Sequence, residues 1–122
     1  MQRSSAAQVM SVETADGVRV HVRGELDDAA TGRLRGLLDD VVAPRSVVRV
    51  DLSRADGLPV AVLRALAATH RRLSEGGGGL VVEGPSPAAR RVLRTSGLHR
   101  VLPVSTRAGR RRAPAPADER TA

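Results

Sequence analysis

The chain has 122 residues, no Phe, Tyr, Trp or Cys, and a formal net charge of +7. That length supports one domain burying roughly two-thirds of its unfolded surface, around a core of Val, Leu and Ala. The missing Cys excludes disulfides, thiolate metal sites and Cys nucleophiles, and the missing rings exclude the stacking platforms used by single-strand and RNA-sheet binders.

Val9 to Thr14 and Val18 to Arg23 flank Asp16-Gly17, which predicts a hairpin closed by a type I′ turn. In the second arm Val18, Val20 and Val22 alternate with Arg19, His21 and Arg23, so one face is buried and the other wet. After Gly24 the period changes to that of an amphipathic helix, with Ala30, Leu34, Leu37, Leu38 and Val41 on one stripe and Asp27 or Asp28 as the cap. Val47 to Leu52 then reads as a central parallel strand.

A second helix starts with Pro59 at or near its first position and buries Leu63, Leu66, Ala67, His70 and Leu73. The glycines Gly76 to Gly79 end it, and Leu80 to Glu83 forms the next strand. Ser86 caps a third helix with Pro87 at its first position, Val92 and Leu93 pointing inward, and Gly97 at its C-terminal end. Val101 to Val104 supplies a last short edge strand. The order is that of an α/β domain with right-handed crossovers.

From Ser105 onward the chain is rich in Arg, Pro and Ala and reads as a disordered tail; 1–7 reads as a flexible N-terminus and 8–104 as the domain. Every basic residue is Arg, and Ile, Asn and Lys are also absent, which is what a GC-rich coding sequence produces. Between Gln8 and Val104 there are fourteen Arg against eleven acids, so the domain itself is only weakly basic. The run Arg110-Arg111-Arg112 reads as a solvated tail, and no specific nucleic-acid binding is expected. No apolar run reaches the ~20 residues that span a bilayer, and the N-terminus lacks a signal-peptide apolar block. A cytoplasmic protein without membrane insertion, a monomer or weak dimer, is expected.

Catalytic patterns are missing. The four glycines precede a strand, and no Lys follows them as a phosphate loop requires. Asp51, with Asp27 and Asp28, has the placement of a receiver-type phosphoacceptor, but that chemistry also needs a Lys; Asp51 is expected instead to fix its turn through backbone N–H groups. His21, His70 and His99 sit on separate elements without metal-ligand spacing, and no nucleophile elbow is present. No enzyme, metal or cofactor is expected.

Four stretches, GELDDAATGRLRGLL from Gly24, VVRVDLS from Val47, LRALAATHRR from Leu63 and GPSPAARRVLRTSGLHRVLPV from Gly84, resemble the STAS domain of sulphate transporters and anti-sigma factor antagonists. The resemblance implies a mixed sheet of about four to five strands with helices packed mainly on one face. It also implies a non-catalytic interaction module of transcription regulation, whose partner is an anti-sigma factor of the serine kinase type. In that partner-switching system the kinase phosphorylates a Ser in an Asp-Ser-Ser-Gly turn at the start of the second helix. Here the turn falls on Pro59, Val60, Ala61 and Val62, with Val60 at the acceptor position. A phosphate there would add about −1.5 to −2 charges, and Val60 has no oxygen to receive it. Asp56-Gly57 also replaces the family's Thr or apolar residue followed by an aromatic.

The resemblance therefore implies partner binding through Asp27, Asp56, Gly57, Leu58, Pro59, Val60, Ala61 and Arg64, with Val60 and Val62 exposed inside a charged rim. An alternative within the same family is an accessory subunit of an ABC-type lipid transporter ATPase, which needs no phosphoacceptor.

Overall fold

The computed structural model describes residues 7–106. The segments expected to be flexible or disordered, Arg110, Arg111 and Arg112 included, lie almost wholly outside that range. The elements run β1 (Gln8–Thr14), β2 (Gly17–Gly24), α1 (Asp28–Asp39), β3 (Val47–Ala55), α2 (Val60–Glu75), β4 (Gly79–Glu83), α3 (Pro87–Ser96), a 3₁₀ turn (Leu98–Arg100) and β5 (Val104–Ser105). They form a single five-stranded sheet in the order β1-β2-β3-β4-β5, with β1 antiparallel to β2 and every other neighbouring pair parallel.

Crossovers that step across the sheet in one direction and keep one hand place their helices on one face. That face carries Val20, Val22, Val48, Val50, Leu52, Leu80 and Val82, all essentially sealed, packed with Ala30, Leu34, Leu38, Leu66 and Leu93 from the helices. The opposite face is open, and Met10 and Val12 of β1 stand exposed on it.

The caps follow the sequence. Asp27 Oδ1 accepts from Ala30 N–H at 2.8 Å, Ser86 Oγ accepts from Ala89 N–H at 3.1 Å, and Gly97 ends α3 in the left-handed region at φ 83°. Within the glycine run, Gly77 takes φ 87°, and a Cβ on Gly78 would lie 1.9 Å from Ser46 O, so these two positions explain the run as a turn against the start of β3.

Three expectations change. The hairpin pairs Thr14 with Gly17, so its turn is Ala15-Asp16. The turn is not type I′, because Arg45 is the only non-Gly residue at positive φ among the described residues. Gly17 lies in the strand because β3 begins against it: a Cβ there would sit 2.0 Å from Val47 O.

The last strand is shorter and later than Val101 to Val104. Leu102 N–H bonds to Leu98 O, an α-type closure following the 3₁₀ turn, and Pro103 has no N–H, so only its carbonyl reaches β4, accepting from Val82 N–H at 2.9 Å. Ser105, counted with the tail from sequence, pairs with Glu83.

The buried stripe of α2 is Val62, Leu63, Leu66, Thr69 and Leu73, while Ala67 and His70 are only half-buried. The helix is turned slightly from the phase the sequence predicts. His70 is nonetheless satisfied: its Nδ1 accepts from Leu80 N–H at 3.0 Å, at the start of β4.

Candidate protein-binding site

The residues expected to meet a partner gather at the carboxyl end of β2 and β3. Asp56 N–H donates to Gly24 O at 3.0 Å, tying the turn after β3 to the loop that holds Asp27. Ser86 holds the same end from the other side: its Oγ donates to Ala55 O at 2.6 Å and its N–H to Leu52 O at 2.9 Å. Three loops thus fix one platform at the ends of parallel strands, where α/β sheets usually place their sites.

Pro59 is the N-cap of α2 rather than its first helical residue, at φ −62° and ψ 156°, and it makes no side-chain capping bond. Its carbonyl accepts from Val62 N–H at 3.0 Å and Leu63 N–H at 3.1 Å. Val60 is therefore the first residue of the helix, and it is 62% exposed. Ala61 and Arg64 are exposed beside it, and Asp27 and Asp56 are exposed on the adjoining loops. Gly57 has open space around the position a Cβ would take.

Two residues do not present side chains here. Leu58 is 7% exposed and belongs to the core. Val62, expected on the surface beside Val60, is fully buried, because two residues along a helix turn the side chain by about 200° and carry it to the sheet side. The apolar part of the platform is thus Val60 with Ala61.

From Val60 and Ala61 a groove of about 590 Å³ runs between α2 and α1, past Arg64, Ala65, Ala68 and Arg35. It is wide because small side chains face it. Arg72 closes its far end, its guanidinium donating to Val41 O at 2.6 Å and to Leu38 O at 2.9 Å, carbonyls in and just after the last turn of α1.

The open sheet face carries groups that sequence reading left apart. Arg19 donates to Glu83 at 3.0 and 3.2 Å, Arg49 donates to Asp16 at 2.9 and 3.1 Å, and His21 Nδ1 lies 3.0 Å from Asp51 Oδ2. Asp51 also accepts from Ser53 N–H at 2.9 Å, the local backbone bond expected of it. The alternation of β2 signalled that Arg19 and His21 share the wet face; their partners, 64 and 30 residues away, had no local signal. Among the described residues no helix is long and apolar enough to cross a membrane.

Comparison with known proteins gives one family and one fold. The family model described as "Mlab, STAS domain" matches residues 9–103. Among solved structures, the chain is similar to an anti-sigma factor antagonist from Mycobacterium paratuberculosis, at 26% identity and TM-score 0.71, covering 86% of this chain and 90% of that one. It shares its fold with the unphosphorylated form of the anti-sigma factor antagonist SpoIIAA (22% identity, TM-score 0.65, 83% and 89% covered). The same holds for the phosphorylated form of the Bacillus cell fate determinant SpoIIAA (23% identity, TM-score 0.60, 83% and 92% covered). No curated protein matches.

Proposed function

The chain belongs to the STAS domain family, has the fold of anti-sigma factor antagonists, and on that premise we propose that it is a non-catalytic, cytoplasmic module that binds an anti-sigma factor of the serine kinase type. It differs from a switchable antagonist in the turn that would carry the switch. At the first position of α2 it carries Val60, exposed and without a hydroxyl. The fold shared with those antagonists carries the binding reading, and Val60 carries its constitutive part: the platform of Asp27, Asp56, Gly57, Pro59, Ala61 and Arg64 is tied by hydrogen bonds but offers a kinase no acceptor at this position. The protein then acts as a permanently unphosphorylated antagonist, always competent to bind.

The test places at Val60 the charge that a phosphate would bring. Wild type and Val60→Asp are used as bait in lysate of the native cell. Recovery of an anti-sigma factor by the wild type, and its loss from the variant, is the expected result. Recovery of the same anti-sigma factor by both would remove the platform from the interface. An ATPase and permease in its place would favour the alternative, an accessory subunit of an ABC-type lipid transporter ATPase. The missing hydroxyl at Val60 is equally compatible with that reading.

A further inference from the structure

On the open sheet face a cleft of about 170 Å³ is lined by Gln8, His21, Arg23, Asp51, Ser53 and Arg54, among others; Asp51, its one acid, is almost wholly buried and paired with His21. We propose that this cleft binds an oxyanion of the phosphoryl class, held by His21, Arg23 and Arg54.

Charge bookkeeping across the sheet motivates it. β2 and β3 bring two pairs of arginines abreast: Arg19 beside Arg49, and Arg23 beside Arg54. Like charges facing each other on neighbouring strands are destabilising. The first pair is neutralised within the fold, Arg19 by Glu83 and Arg49 by Asp16. The second pair has no acid: no ion pair to Arg23 or Arg54 exists among the described residues. The register between β2 and β3 shifts between His21 and Arg23, and this irregularity is what sets Arg23 opposite Arg54. Such bulges re-aim side chains next to binding sites.

The third group is oriented rather than merely nearby. Asp51 has a side chain only 5% exposed and accepts only, so His21 Nδ1 carries the proton of their 3.0 Å bond. The imidazole is 34% exposed and lines the cleft, and its Nε2 has no protein partner among the described residues. That nitrogen suits phosphate in either proton state. Neutral, it accepts from the P–OH of a monoanion; protonated, it donates to a dianion, and the proton count of the complex is the same. The Ser53 hydroxyl and the Gln8 amide, on the same cleft, are further donors. Arginine supplies the planar donor forks that match phosphoryl oxygens.

Free phosphate and a phosphorylated side chain share this chemistry, and one titration separates them. The full chain is titrated with inorganic phosphate, with O-phosphoserine and with chloride at matched ionic strength, while the ring resonances of His21 are followed by NMR. His70 and His99 act as internal references, and reading His21 keeps binding to the arginine-rich tail out of the measurement.

The expected result is a saturable shift of His21 alone, with affinity reduced about tenfold or more in Arg23→Gln/Arg54→Gln, since two charge-assisted contacts are lost. Both substituted residues are exposed, so the fold should persist, as the amide spectrum will verify. Saturation by phosphate alone assigns a free anion; saturation by phosphoserine as well extends the site to a phosphorylated partner. No saturable shift, an equal response to chloride, or an unchanged affinity in the double variant overturns the proposal.

Discussion

Asp51 places a carboxylate that is almost wholly buried between His21 Nδ1 at 3.0 Å and Ser53 N–H at 2.9 Å, so its two oxygens are each assigned a partner from a different strand position. His21→Ala leaves one oxygen desolvated without a donor, and the expected loss is about 1–3 kcal/mol. Urea denaturation of His21→Ala, Asp51→Ala and the double variant measures it. The double variant should lose clearly less than the sum of the singles; strict additivity would mean the pair contributes nothing of its own.

The ion pair at the hairpin turn should appear in the acid limb of stability. Hydrogen bonds from the Arg49 side chain hold the Asp16 carboxyl below its ordinary value; burial, the next largest effect, opposes them, and the charge of Arg49 and a hydrogen bond from Thr14 add to the lowering. A depressed folded value means that the stabilisation is present above the unfolded value of about 3.8 and is lost as pH falls through the still lower folded value. Asp16 has a side chain 48% exposed, so solvent screening keeps the contribution below about 1 kcal/mol. The prediction concerns the difference between wild type and Asp16→Asn. It should be constant near neutrality and shrink below about pH 4. A difference that grows on acidification would contradict it.

Arg72 acts as a C-terminal cap supplied by another helix. Its two bonds reach Val41 O, just past the helix, and Leu38 O in its last turn, which also accepts from Val41 N–H at 3.2 Å. Arg72→Ala should cost about 1.5–3 kcal/mol, as for hydrogen bonds from a charged group. Arg72→Lys should recover only part, because one ammonium cannot reproduce a fork reaching two carbonyls. Thermal melts of the two variants test this, and equal melting temperatures for Arg72→Lys and wild type would defeat it.

Along α2, position decides what an apolar residue is for. Val60→Ala removes an exposed side chain and should change stability by no more than about 0.5 kcal/mol, whereas Leu66→Ala empties a sealed core site and should cost about 2–5 kcal/mol. Denaturation midpoints of both variants provide the comparison. A large loss at Val60 would show that its side chain packs within the fold and is not available to a partner.

The sequence by itself determined the elements and most of their ends. Period-two alternation in β2, the stripe of α1, the caps Asp27 and Ser86 and the stop at Gly97 are local devices, each completed within a few residues. The residues that carry the family resemblance also lie in such local stretches, which is why they are legible. The segment Asp56 to Arg64 could be proposed as a partner platform from sequence because it is one continuous stretch.

Tertiary structure alone decided what depends on phase and on distance. The hairpin register moved by one residue because β3 starts against Gly17. The exposed side of the platform narrowed to Val60 and Ala61 because α2 turns Val62 onto the sheet. The pairing of Arg19 with Glu83, the union of His21 with Asp51, and the unneutralised meeting of Arg23 with Arg54 follow from strand order and one register shift. Side-chain pattern fixes which face of a strand is wet; only the sheet fixes which charges on that face become neighbours.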